Sequence, residues 1–184
     1  MKNIKPLERI NNMREIVFRG KPVNKAIYTN FEKKFKNASF FSNGFVFGSL
    51  VIHENKYYIC LNIKLNMSGI IFNSNESNMT ATMIEVIPET VSQFTGKYIN
   101  NTRIFDGDIL EWCDDYDDSW GFPNTAVTRS VVSWDKNDSC WVLKHDGKDE
   151  CICTFTEYDK SEWENMNLIG NIYDNPELLL DYNK

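Results

Sequence analysis

Short runs of alternating apolar and polar residues recur along most of the chain, a period of two typical of β-strands with one buried face. Turn residues separate the runs, as in the polar segment His53-Glu54-Asn55-Lys56 between two apolar stretches. The runs predicted as strands are Glu15–Arg19, Phe45–Ile52, Tyr57–Leu61, Ile70–Phe72, Ala81–Ile87, Asp108–Cys113, Ala126–Trp134, Cys140–Lys144 and Cys151–Phe155. This pattern predicts a mainly β protein of two small barrel-like or sandwich units with a few short helices, since closure removes exposed strand edges.

Helical spacing of apolar residues occurs in only two places. Asn24–Lys36 has apolar positions at helical intervals, and Asn24 can cap the first turn, so a full helix is predicted there. Near the C-terminus, Asn175 can cap, Pro176 fits the first helical position, and the residues through Leu180 complete a short terminal helix.

Composition excludes a disordered chain and allows one or two folded domains. With 184 residues, 42% hydrophobic and 25% charged, the chain is too apolar to be disordered and can bury one large or two small cores. No run approaches the roughly 18 apolar residues of a membrane helix, and the polar first twelve residues do not resemble a signal peptide, so we expect a cytoplasmic protein. We expect an N-terminal extension over residues 1–12, a β unit over 13–92 and a barrel-like β unit over 93–184.

Charge is divided unequally between the two halves of the chain on either side of the Ser92–Gln93 bond. Residues 1–92 carry 12 Lys and Arg against 7 Asp and Glu, a net charge of +5. Residues 93–184 carry 8 against 19, a net charge of −11. Such an asymmetry indicates either two halves that attract each other or two surfaces with different partners.

The basic half has cations that suit nucleic acid. Three lysines near residue 35 alternate with Phe31 and Phe35, a mixture found in nucleic-acid-binding patches. The alternative is a solvated helix face whose aromatic side chains point inward. The candidate binding residues of this half are Arg14, Arg19, Lys21, Lys33, Lys34 and Lys36.

The acidic half contains a run of carboxylates from Asp106 to Asp118, without the glycine and distal glutamate of a calcium-binding loop. We predict a solvated loop for this run. The alternative is an acidic surface that mimics nucleic acid, because carboxylates can imitate phosphates. Its candidate binding residues are Asp114, Asp115, Asp117 and Asp118.

The five cysteines are an odd number in a chain without an export signal, so we expect reduced thiols and no disulfide framework. Cys151 and Cys153 could form a zinc site with Cys113, Cys140 and His145. The Cys-x-Cys pair, however, lies in an apolar run and not on a tight knuckle, which favours buried small hydrophobes. We therefore expect no metal and no cofactor.

The sequence has no recognisable catalytic constellation. His53 and His145, the two histidines, lie in predicted hairpin turns without the context of a nucleophile elbow or a metal-binding helix. No glycine-rich phosphate loop is present in the sequence. We therefore expect a protein that is not an enzyme.

Three stretches, in order along the chain, carry a family resemblance. They are Met13–Lys21 with Asn43–Leu50, Ile87–Gly96 with Ile104–Ile109, and Ile169–Leu179. Together they resemble the YopX family of bacteriophage and prophage proteins, whose members usually start at the equivalent of Met13 and read Glu-Gly-Asp where this chain has Asp106-Gly107-Asp108. Residues 24–42 are longer than the loop of the family at this place.

The residues of these motifs have structural interpretations. Gly107 can supply the positive φ of a tight turn, and Asp108 can accept backbone N–H bonds where a strand begins. Gln93 and Thr95 share one face of a predicted strand and could contact a ligand, the alternative being pairing within the sheet. Gly170-Asn171 predicts a turn or bulge. The residues assigned to structural motifs are Gly96, Asp106, Gly107, Asp108, Gly170, Asn171 and Pro176.

The leading functional hypothesis is a phage accessory protein that acts as a non-enzymatic interaction module for nucleic acid or for a host or phage protein. The resemblance implies the phage context and hence the cytoplasm of a bacterial host. One alternative is that the acidic half mimics DNA and occupies a host enzyme. The other is a homo-oligomeric structural protein, because oppositely charged halves suit head-to-tail contacts.

Overall fold

The structure is a computed structural model that describes residues 15–26, 29, 33, 40–61, 82–117, 123–145, 148–151 and 165–179. For residues 114–117, 123–126, 145 and 148–151 it describes the backbone alone. The chain is mainly β, with a curled half-barrel sheet and a second sheet, which confirms the predicted fold class. In the described residues, no helix has the length and apolar character needed to cross a membrane.

Backbone contacts divide the chain into two compact units. The first unit is Ile16–Gln93, and the second begins at Phe94 and includes Glu15. The strands, in chain order, are β1 (Phe18–Gly20), β2 (Phe41–Ser42), β3 (Phe45–His53), β4 (Lys56–Cys60), β5 (Met83–Val86), β6 (Ser92–Ile99), β7 (Thr102–Phe105), β8 (Asp108–Asp117), β9 (Pro123–Asp135), β10 (Cys140–His145), β11 (Lys148–Cys151) and β12 (Asn167–Asn171). In the described residues, 3-10 helices cover Pro88–Thr90 and Pro176–Leu179.

In the first unit, the antiparallel order β5-β4-β3-β1 curls until β5 meets the segment that follows β1. Val23 donates its N–H to the carbonyl of Glu85 (3.0 Å), and Ile87 donates its N–H to the carbonyl of Lys21 (2.8 Å). Pro22 forms an antiparallel bridge with Val86. Through residues 21–23 the half-barrel closes into a ring, in which β5 has a neighbour at both edges.

The inner face of this ring holds the core of the first unit. The buried residues Val46, Ile59, Leu61, Ile84 and Val86 are at most 5% exposed. They come from β3, β4, β5 and the residue after β4, so the alternation along those strands directs one apolar face inward.

The second unit contains the sheet β11-β10-β9-β8-β12 and, from Phe94 onward, the hairpin of β6 and β7. The first two residues of β6, Ser92 and Gln93, pair with β1 in the first unit. Ile99 and Ile104 of the hairpin are in one buried cluster with Leu110, Val132 and Leu143 of the sheet. Each of these five side chains is at most 3% exposed. The hairpin and the sheet thus share a single core.

The turn predicted at His53–Lys56 is confirmed. His53 pairs with Lys56, and Glu54 and Asn55 have φ of 47° and 61°, which is a two-residue turn of the kind that matches strand twist. In the turn between β9 and β10, the carboxylate of Asp135 accepts the N–H of Asn137 at 2.7 Å. That bond is the usual way in which an aspartate closes a polar turn.

The helix predicted from Asn24 is present where the structure describes it. Asn24 Oδ1 accepts the N–H of Ala26 at 3.0 Å, the predicted cap, and Lys25, Ala26, Thr29 and Lys33 are helical. At the C-terminus, the predicted helix is a single 3-10 turn in which Leu178 donates its N–H to the carbonyl of Asn175 (3.1 Å).

The strand bounds that differ most from the prediction are those of β1, β8 and β9. β1 starts at Phe18 and not at Glu15. β8 continues to Asp117 and β9 begins at Pro123, so the solvated loop predicted for the whole acidic run is wrong at residues 114–117. Cross-strand pairing overrides the local polarity there, because each strand satisfies the backbone of the other. The predicted strands at 70–72 and beyond residue 151, and the predicted extension over residues 1–12, lie outside the described residues.

Candidate functional site

The cations predicted to bind nucleic acid occupy different environments. Arg19 is 7% exposed, and its guanidinium carbon lies 4.5 Å from the centroid of the Phe45 ring. Lys21 Nζ lies 5.2 Å from the same centroid, and Lys33 is exposed. We correct the binding prediction for Arg19, because it packs on an aromatic ring and lacks the exposure that phosphate contact requires. Arg14, Lys34 and Lys36 lie outside the described residues.

Gln93 and Thr95, the two polar residues predicted on one strand face, are engaged in the sheet. Gln93 is half-buried and pairs with Phe18. Thr95 is 6% exposed; its hydroxyl donates to the carbonyl of Ile104 (2.9 Å) and accepts the N–H of Lys97 (3.1 Å). Thr95 therefore follows the second of its two interpretations, bonding within the sheet, and its prediction as a ligand contact is corrected. Gly96, with φ of 88°, lies where the register of that hairpin shifts.

The turn Asp106-Gly107-Asp108 forms hydrogen bonds with three other parts of the second unit: β7, β9 and the residues after β12. Gly107 has φ of 78°, as predicted, and its N–H donates to the carbonyl of Val132 at 2.8 Å. Ile172 donates its N–H to the carbonyl of Gly107 at 2.9 Å. Asp108 is 1% exposed and accepts the N–H of Phe105 at 2.8 Å. This motif is structural.

The C-terminal motif, Gly170, Asn171 and Pro176, is also held by local backbone pairing and hydrogen bonds. The register of β12 against β8 shifts between Leu168 and Gly170, which is the predicted bulge. Asn171 Oδ1 accepts the N–H groups of Tyr173 and Asp174, both at 3.0 Å. Pro176 then begins the 3-10 helix. These bonds leave the motif with a structural role.

Sequence reasoning did not identify an ion pair on the second sheet. Arg129 on β9 donates from Nε to Glu111 Oε2 on β8 at 2.8 Å, and from a terminal guanidinium nitrogen to the carbonyl of Leu178 at 3.0 Å. The two side chains are 24% and 25% exposed. Only the cross-strand register, which places Glu111 opposite Arg129, could have revealed the pair.

Replacing Arg129 by methionine is expected to lower the free energy of unfolding by about 1–2 kcal/mol, because two charge-assisted hydrogen bonds are lost from a partly exposed site. Amide exchange within Pro176–Leu179 should rise, since Arg129 holds that 3-10 helix. Hydrogen exchange measured by mass spectrometry checks this, with the exposed Lys136→Met as control. Unchanged exchange in the 3-10 helix would contradict the role given to Arg129.

The acidic residues lie on an extension of the second sheet. β12 pairs with β8 only from Asp108 to Glu111, and β10 pairs with β9 only from Val131 to Asp135. Beyond those contacts, residues 112–117 of β8 pair with residues 123–128 of β9, and no other strand of the described chain joins them. We call residues 112–117 and 123–128 the acidic arm. Six residues per strand give it a length of about 20 Å.

The acidic arm combines negative charge with strand edges. Asp114, Asp115 and Asp117 lie on β8 within it, and Asp118 follows outside the described residues. At the base of the arm, the exposed Cys113 pairs with Val127, which is 39% exposed. A two-stranded ribbon alone is only marginally stable in water, and its edges can pair with another strand.

In the described part of the chain, no group of three His, Cys, Asp or Glu is placed to hold a metal ion. Cys60, Cys113 and Cys140 are free thiols. Cys153, which the zinc alternative requires, lies outside the described residues. His53 belongs to the first unit and His145 to the second.

Comparison with known proteins identifies a family. No curated protein and no solved structure matches the chain. The model of the YopX protein family matches residues 51–180, a range that includes the second and third of the three resembling stretches. Because that match covers more than half of the chain, the protein belongs to the YopX family.

Proposed function

We propose that this chain is a non-enzymatic interaction module of a phage or prophage, that it acts in the cytoplasm of the bacterial host, and that it binds a protein partner through the acidic arm. The observation that supports this proposal is the pairing pattern of β8 and β9. Residues 112–117 and 123–128 continue as a ribbon after the flanking strands have ended. A partner that pairs with the edge of the ribbon would stabilise it.

The described residues favour a protein partner over nucleic acid. The carboxylates of the acidic arm repel phosphates, whereas nucleic-acid affinity arises mainly from Lys and Arg at the surface. Among the predicted nucleic-acid contacts, Arg19 is buried and Lys21 is half-buried. Another predicted site of contact, Thr95, bonds within its own hairpin. The partner we propose therefore presents basic residues to the arm.

The proposal is tested with the variant Asp114→Lys/Asp115→Lys as bait in host-cell lysate, with nuclease present. We expect the parent protein to retain a protein partner that the variant does not retain. The matched control is Asp138→Lys/Glu177→Lys, which reverses two charges at exposed positions of the same unit. It should capture the partner as the parent does.

Equal capture by the parent and both variants would contradict binding through the acidic arm. Recovery of nucleic acid alone, lost after nuclease treatment, would contradict a protein partner. If added duplex DNA displaces the arm-dependent partner, the arm occupies a DNA-binding surface, which is the outcome expected of a DNA mimic.

A further inference from the structure

Residues 16–93 and residues 94–184 carry net charges of opposite sign, which indicates a partner for the acidic arm. Residues 16–93 carry 8 Lys and Arg against 5 Asp and Glu, a net charge of +3. Residues 94–184 carry 8 against 19, a net charge of −11. We infer that the acidic arm of one molecule binds the first unit of a second copy, so that copies associate head to tail. This inference rests on the proposed function of the arm.

Contact between two acidic arms is disfavoured by the same charges. A two-fold symmetric contact whose axis passes through the arm would bring the arm of one copy against the arm of the other. The residues Asp114, Asp115 and Asp117 would then meet their own equivalents, and like charges on paired strands destabilise a sheet. A head-to-tail contact avoids this repulsion because the two surfaces differ.

The first unit offers positive charge for such a contact. Lys25 and Lys33 are exposed residues of the helix that begins after Asn24, and the described residues show no ion pair for either. Lys56 differs, since its Nζ lies 3.3 Å from a carboxylate oxygen of Glu85. Lys25 and Lys33 are therefore the cations we assign to the arm of the neighbouring copy.

A head-to-tail contact repeats from copy to copy. It ends in a closed ring if the rotation between neighbours permits, and otherwise continues as a filament. Either product has a mass above that of the single chain, 21.5 kDa. Because exposed charges carry the contact, salt weakens it.

The experiment is size-exclusion chromatography with light scattering on the purified full chain, in low salt and in about 1 M salt, where the Debye length is only about 3 Å. We expect assembly in low salt and the single-chain mass in high salt. Asp114→Lys/Asp115→Lys alone and Lys25→Glu/Lys33→Glu alone should each remain single chains. An equimolar mixture of the two should associate, because each variant supplies the surface that the other has lost.

The controls distinguish loss of the contact between copies from loss of the folded structure. Asp138→Lys/Glu177→Lys and Lys136→Glu/Lys144→Glu reverse charges at exposed positions of the second unit and should assemble as the parent does. Far-UV circular dichroism and thermal melting identify any variant that does not fold.

In the parent, Cys113 at the base of the arm should react with a maleimide several-fold more slowly in low salt than in high salt, as measured by peptide mapping.

Single chains of the parent in low salt would overturn this inference. Assembly that the arm variant leaves intact, with Cys113 equally reactive in both salts, would overturn it as well. In either case, a lysate partner lost only by the arm variant would leave the proposed function standing. Capture unaffected by the arm variant would overturn the proposed function separately.

Discussion

Alanine in place of Gly48 is expected to lower the free energy of unfolding of the first unit by about 3 kcal/mol. The new Cβ would overlap the carbonyl oxygen of Cys60 and lie 2.9 Å from its carbonyl carbon. Both are backbone atoms of β4, and neither can move without disturbing the pair between Ser49 and Cys60. Glycine at this position lets β3 and β4 approach closely enough to curve.

The matched control is Gly44→Ala in the turn between β2 and β3. Gly44 has φ of 79°, and a Cβ there would meet no atom within 4 Å, so only the backbone cost of about 1 kcal/mol remains. Urea denaturation followed by far-UV circular dichroism gives both values. Residues 16–93 contain no tryptophan, so tryptophan fluorescence reports the second unit separately. Equal losses for Gly48→Ala and Gly44→Ala would contradict the steric explanation.

Alanine in place of Asp108 is expected to cost the second unit about 2–3 kcal/mol. The carboxylate is buried and accepts the N–H of Phe105 at 2.8 Å, and a backbone donor buried without a partner is costly. Asp108→Asn keeps an oxygen that can accept this bond, so its loss should be smaller. Asp138→Ala, at an exposed turn position, should change the free energy of unfolding by less than about 0.5 kcal/mol.

Urea denaturation followed by tryptophan fluorescence measures the effect of these changes, because every tryptophan of the chain follows residue 93. A free energy of unfolding for Asp108→Ala equal to that of the parent would contradict the role assigned to this carboxylate. Equal losses for Asp108→Ala and Asp138→Ala would contradict it too, because the second residue is exposed.

Features set by a few neighbouring residues could be predicted from the sequence. Asn24 caps a helix, Gly107 has a positive φ, and the residues around Asn55 form a hairpin turn, each because the local backbone requires that residue type. Strand alternation also predicted the mainly β class. None of these predictions required knowledge of which strands pair.

Features that depend on contacts between residues far apart in the sequence could not be predicted. Arg19 alternates with apolar residues as a surface cation would, and only the position of Phe45 shows that it is buried. The register between β8 and β9 determines that Glu111 meets Arg129. For the acidic arm the sequence did contain a signal, since Trp112 and Tyr116 continue the alternation begun at Leu110, but the surrounding carboxylates favoured a loop.

The ring of the first unit also constrains when this protein can fold during translation. Its closing contacts join residues 21–23 to residues 85–87, so β1 emerges from the ribosome long before β5 exists. A nascent chain that ends before Met83 therefore lacks the strand that closes the ring, and the closing contact joins residues about 60 positions apart in the sequence, which is slow to form. Folding of this unit thus waits for nearly half of the polypeptide to be synthesised.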